Sequence, residues 1–176
     1  MNSSSLSESP PPACAADRPE IDVQVVAPPE FVWFDQQMAK HHYLGAGRSV
    51  GDYLRQIVRV RGRPSALLVW GPSCYALKDR DRWLGWSATQ RVERLKLIAQ
   101  NRRFLVLADK AQAPNLASQT LAAALRALPD QWLATFGYRP LLAESFTDPE
   151  AYEGTCYKAS NWQPVGFSAR IQSPPR

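Results

Sequence analysis

Only three cysteines and two histidines occur among these 176 residues, and that scarcity removes several classes of chemistry at once. Cys14, Cys74 and Cys156 make an odd count without Cys-x-x-Cys spacing, so neither a disulfide framework nor a zinc knuckle is expected. His41 and His42 are the whole histidine complement, so one chain cannot supply a multi-histidine site, and no metal is expected. No uninterrupted apolar run approaches the roughly 20 residues that cross a bilayer. The first twenty residues, MNSSSLSESPPPACAADRPE, have no basic start followed by an apolar stretch, which excludes a signal peptide. A soluble, cytoplasmic protein with no membrane partner is the expectation.

What is present is apolar mass and positive charge. A hydrophobic share of 45% with six each of Trp, Tyr and Phe is ample for one packed core, and the length suits one domain. Residues 1–20 carry Glu8, Asp17 and Glu20 against Arg18, so a formal net charge of +5 leaves a surplus of +7 on the remainder. Arginine far outnumbers lysine, and guanidinium suits bidentate contact with phosphate. Nucleic acid is therefore an expected partner.

Pattern divides the chain into a disordered Ser/Pro-rich tail over 1–28, a folded unit over 29–169 and a short tail over 170–176, although Ile21 to Val26 has the composition of an edge strand. Phe31, Phe34, Met38 and His41 recur at helical spacing up to His42, with one histidine of the pair facing inward. Tyr53 to Arg61 and Ser65 to Trp70 form a hairpin about Gly62, its exposed face arginine. A short helix and turn follow Cys74. Ser87-Ala88-Thr89-Gln90 has capping-box form and opens a helix with Ala88, Val92, Leu95 and Ala99 inside. Phe104 to Leu107 is a buried strand. Asn115 caps a helix carrying Leu116, Leu121, Leu125, Leu128 and Trp132, which Pro129 should break or kink. Leu141 to Phe146 is a strand, and Tyr152 to Ser160 a last short helix. The fold class is α/β (α+β), a mixed sheet flanked by helices.

That order, ending in Tyr157-Lys158-Ala159-Ser160-Asn161-Trp162 and Val165-Gly166, resembles the acyl-CoA N-acyltransferase (GNAT) superfamily. More specifically, His41-His42-Tyr43-Leu44-Gly45, Arg80-Asp81-Arg82-Trp83-Leu84-Gly85-Trp86, Asn101-Arg102-Arg103-Phe104-Leu105, Asn115-Leu116-Ala117-Ser118, Gly137-Tyr138-Arg139-Pro140, Glu144-Ser145-Phe146 and Gly154 to Trp162 resemble the Druantia A (DruA) family. The resemblance implies a part in phage defence or in a mobile element, beside other defence-system or transposase proteins. It also marks His41, Arg80, Asp81, Trp86, Asn101, Asn115, Ser118, Asn161 and Trp162 as motif residues. After Gly166 the family continues through a Gly/Arg-rich turn, whereas this chain ends in Ser173-Pro174-Pro175-Arg176, so a truncated, inactive relative is a third reading.

The superfamily resemblance makes acyl-CoA a candidate cofactor, with Tyr157 as proton donor and His42 or Glu144 as base. A core aromatic with a bonded hydroxyl is the other reading of Tyr157. The loop from Ala108 to Ser118 holds no glycine, and Gln112, Ala113 and Pro114 would obstruct backbone approach to a pyrophosphate. No cofactor is therefore the expectation. Glu144 with Asp148 makes a weak metal pair, and Asp148 suits a cap better. Arg80 and Asp81 should pair locally. For nucleic acid the candidates are Arg59, Arg61 and Arg63 with Arg55 on the hairpin, and Arg91, Arg94, Arg102 and Arg103 nearer the helices, with Trp83, Trp86 or Trp162 stacking if exposed.

Overall fold

The computed structural model describes residues 20–45, 47, 50–107 and 114–167. Five strands, β1 (Ile21–Val25), β2 (Leu54–Val60), β3 (Arg63–Pro72), β4 (Ile98–Val106) and β5 (Leu142–Ser145), form one sheet in the order β1-β2-β3-β4-β5. Neighbours are antiparallel except β4 and β5, which run parallel. A parallel pair needs a crossover, and α4 (Leu116–Phe136) supplies it.

Strand alternation sends the apolar residues to two faces. Leu54, Val58, Leu68, Trp70 and Ala99 pack with Leu121, Leu128 and Trp132 of α4. Ile57, Leu67, Val69 and Leu105 pack on the other face against Phe34 and Met38 of α1 (Phe31–His41). Two short helices, α2 (Lys78–Leu84) and α3 (Ala88–Arg94), join β3 to β4, and α5 (Thr155–Ala159) lies beside α4.

Several boundaries differ from the sequence reading. The span 1–28 is not all tail: β1 pairs with β2 from Ile21↔Val60 to Val25↔Gln56. Residues 1–19 and 170–176 lie outside the described residues. The helix opened by Ser87 does form its capping box, yet it ends at Arg94. A 3-10 turn, Leu95–Leu97, leads straight into β4, where Ala99 is a strand residue, and Val92 is exposed. Strand β4 thus begins six residues before Phe104, because Ala99 and Asn101 have partners waiting on β3 and β5. His41 is exposed; His42 is the half-buried member of the pair.

Helix α4 runs through Pro129 without ending. Proline removes the donor that Leu125 O would otherwise receive, and Gln56 Nε2 donates to the next carbonyl, Ala124 O, at 3.2 Å. The fully buried Gln56 also accepts from Trp70 Nε1 at 2.6 Å and donates to Gln131 Oε1 at 2.7 Å, while Gln131 Nε2 reaches Val23 O. One amide chain thereby ties β1, β2 and β3 to α4. No helix among the described residues is long and apolar enough to cross a membrane.

Candidate functional site

Strands β4 and β5 stay paired only from Ile98↔Leu142 to Asn101↔Ser145. Beyond that pair β4 continues to Val106 against β3 only, and β4 and β5 part. Tyr157 enters the parting from α5. Its hydroxyl donates to Asn101 Oδ1 at 3.0 Å and accepts from Ser145 Oγ at 3.0 Å, so it bonds to both members of the last pair. Its ring meets Phe104 and Trp162 edge-on, at 6.4 and 5.2 Å between centroids. Burial pushes its pKa up to about 12. Asn101 in turn donates to Arg103 O and Val69 O.

Arg103 builds the opposite wall. The β3–β4 register slips between Val69 and Trp70, and at such a bulge two residues oppose one. Arg102 and Arg103 consequently both lie on the face away from α4: Arg103 packs beside Gly47 and Arg102 over Gly71. Arg103 donates to Gly45 O at 3.0 Å and to Leu44 O at 3.4 Å, which fixes the loop after α1. A Cβ at Gly47 would meet Arg103 Nη2 at 2.8 Å, at a φ of +73 that side chains rarely adopt.

The loop so held carries His42 and Tyr43. His42 Nδ1 accepts from Leu44 N at 3.1 Å, leaving Nε2 as the protonated nitrogen, and burial with the Arg103 charge lowers its pKa. The ring stacks on Tyr43 at 4.9 Å. Tyr43 lies 5.8 Å from Tyr152 and is 63% exposed against 50% for Tyr152.

Glu144 stands elsewhere. Being next to Ser145 on β5 it projects to the opposite face, where Arg80 Nη1 donates to Oε2 at 3.0 Å and Cys74 N to Oε1 at 2.9 Å. The expected Arg80–Asp81 pair exists and extends further, since Arg91 Nη1 donates to Asp81 Oδ2 at 3.1 Å. Asp148 accepts from Glu150 N and caps a turn rather than a helix. Thus the three proposed catalytic residues do not converge: Tyr157 is bonded into the sheet, His42 braces a loop and Glu144 is held in an ion network.

Motif residues at the α4–α5 junction serve the backbone. Asn115 holds the N-cap position at φ 63, but its side chain makes no cap bond. Ser118 Oγ donates to Asn115 O, and Ser160 Oγ donates to Ser118 O. Asn161, at φ 63, ends α5. Trp86 and Trp162 are half-buried, while Trp83 is exposed.

The arginines proposed for nucleic acid do not form one patch. Arg59 is paired with Glu30, and Arg55 with Asp35. Arg61 and Arg63 sit at the β2–β3 turn, whereas Arg91 and Arg94 lie at the other end of β3, about 30 Å away along a ten-residue strand. Tyr43 and Ser145 entered the sequence reading only as members of motifs and Tyr152 only as a helix start, none with a role at the site. Their neighbours His42, Glu144 and Tyr157 were the available signal, but contact across elements is invisible in one dimension.

With this geometry in place, comparison with known proteins is decisive for the family. The profile of the Druantia protein DruA family matches residues 8–170. This chain belongs to the DruA family. No curated protein matches it by sequence. Among solved structures, the fold is similar to that of AAC(6')-Iy in complex with a bisubstrate analog, CoA-S-monomethyl-acetylneamine. That match has 12% identity and TM-score 0.54, covering 89% of this chain and 99% of that one. It is likewise similar to aminoglycoside N-acetyltransferase AAC(6')-Iy in complex with CoA, at 11% identity and TM-score 0.54, covering 91% and 99%. The DruA-family chain therefore has the acyltransferase-like fold.

Acyl-CoA itself fits the described residues poorly. The hydroxyl proton of Tyr157 is committed to Asn101, and a phenol with a pKa near 12 is a weaker acid than an ordinary tyrosine. Pro114 has no N–H to offer at the start of α4, and residues 108–113 of the glycine-free loop lie outside the described residues.

Proposed function

We propose that this DruA-family chain serves anti-phage defence by contacting single-stranded nucleic acid at the mouth of the β4–β5 parting, without acyl transfer. The observation that carries the reading is the exposed Tyr43–Tyr152 pair beside Arg103. Tyrosine faces open to solvent next to guanidinium suit unpaired bases, whose stacking is tolerant of sequence. The family supports the defence role, and the positive surplus supports a polyanionic partner. Other proteins of a defence system or a transposable element are the further partners this reading implies.

Fluorescence anisotropy with labelled single- and double-stranded oligonucleotides at two salt concentrations is the test. Single strands should bind, more weakly at higher salt, and Tyr43→Ala or Tyr152→Ala should each cost about 1–3 kcal/mol. Absence of salt-sensitive binding overturns the proposal. Thermal stabilisation by CoA or acetyl-CoA, lost in Tyr157→Phe, would instead restore the acyltransferase reading that the fold keeps open.

A further inference from the structure

The sheet order puts β1 outermost, and no described strand pairs with its outer side. Arg61 N donates to Glu20 O at 2.9 Å, and Val26 N donates to Arg55 O at 3.0 Å. The even-numbered residues from Glu20 to Val26 therefore turn their backbone groups toward β2. By alternation Ile21, Val23 and Val25 turn theirs outward. Gln131 Nε2 reaches Val23 O from that outer side at 2.8 Å, and a carbonyl oxygen keeps a second lone pair.

Natural edge strands are blunted by lysine, proline or a bulge. β1 has none of these: it reads Ile-Asp-Val-Gln-Val, and its register with β2 is unbroken over five pairs. Its side chains select the strand that fits it. Ile21 and Val23 pack on the α4 face, where Val25 is 40% exposed, and Asp22 and Gln24 are exposed on the other face. A second β1 laid antiparallel about a two-fold axis at Val23 sets Ile21 opposite Val25, Val23 opposite Val23 and Asp22 opposite Gln24. Apolar side chains then meet apolar ones, and carboxylate meets carboxamide. An axis at Ile21 would set Asp22 against Glu20, two like charges. An axis at Val25 would set Ile21 and Asp22 against Pro29 and Pro28, which belong to a 3-10 turn.

We propose that β1 is a docking edge for a second copy of this chain, pairing with its β1 about a two-fold axis at Val23 to join the two sheets into one. The interface is isologous, so it closes at two copies. Ile21 and Val25 exchange N–H to carbonyl bonds across the seam, the two Val23 residues do so at its centre, and Asp22 accepts from Gln24 of the second copy. The β4–β5 parting lies at the far end of each sheet, so both Tyr43–Tyr152 pairs stay open.

Sedimentation equilibrium of the full chain over a micromolar dilution series, with amide hydrogen exchange at both ends of the series, tests this. A dimer should form as concentration rises, and the Ile21, Val23 and Val25 amides should gain protection with it. The Asp22 and Gln24 amides, bonded to β2, should be protected throughout. Val25→Pro removes an outward N–H without touching the β2 ladder, so it should weaken the dimer about tenfold or more. Gln24→Glu, which sets two carboxylates face to face, should weaken it about threefold or more, whereas Gln24→Lys should keep or tighten it. Gln24 is exposed, so its variants decide the matter even where Val25→Pro lowers stability. A monomer at every concentration overturns the proposal, including one whose outward amides are protected by another part of the same chain. So does a dimer that Gln24→Glu leaves unchanged.

Discussion

Arg80 is 7% exposed and its guanidinium serves Asp81, Glu144, Cys74 O and Ser73 Oγ together. Removing one partner of such a pair strands the other charge out of water. Arg80→Met should cost about 3–5 kcal/mol in urea unfolding, and Glu144→Gln clearly less, because a neutral amide can still accept from Arg80. Equal, small effects would show the network to be solvated. Tyr157 gives a pH prediction. Its folded pKa, about 12, lies above the ordinary tyrosine value near 10 because burial favours the neutral phenol. Its contribution is complete below pH 10 and disappears as pH rises through about 12. Unfolding free energy should fall across that window in the wild type and fall less in Tyr157→Phe. The same variant leaves Asn101 Oδ1 without its donor, at about 1–3 kcal/mol near neutral pH.

At the scale of elements, α3 depends on its cap more than on its apolar face. Ser87 Oγ accepts from Gln90 N and Gln90 Oε1 from Ser87 N, while Val92 is exposed. Ser87→Ala should lower stability by about 0.5–2 kcal/mol, with amide exchange quickening first in residues 88–94. Gln56→Leu should be costlier locally. It leaves Trp70 Nε1 and Gln131 Oε1 without their partner, about 1–3 kcal/mol for each buried group, measurable by calorimetric melting. The capping box was legible because a cap is written in four consecutive residues. The length of β4 was not. Lys96 to Ala99 reads as the end of that helix, and only the waiting edges of β3 and β5 make Ile98 and Ala99 strand.

For the whole molecule, the sheet order makes β1 an edge strand. Ile21 and Val23 pack on the α4 face, and Val26 is buried on the other. Deleting residues 1–28 should therefore cost about 3–5 kcal/mol, the worth of two or three buried aliphatic side chains, and urea titration should show it. A deletion without effect would return β1 to the tail. The motif order identified the family, a property of the linear chain. The candidate site was legible only in part. Tyr157 stood out by its motif, and His42 and Arg103 were named singly. Nothing in the sequence places Tyr43 opposite Tyr152, or Arg102 over Gly71.

The sequence by itself determined the elements that rest on local chemistry. These are the capping box at Ser87, the hairpin about Gly62, the two-faced pattern of Leu54 to Val60 and the family written in the spacing from His41 to Trp162. Tertiary structure alone decided where β4 and β5 part, that Tyr157 seals that point, and that Arg102 lies over Gly71 on the opposite face. The physical reason is range. Capping and side-chain alternation act over a few residues, whereas hydrogen-bond satisfaction and charge pairing depend on groups brought together from distant parts of the chain.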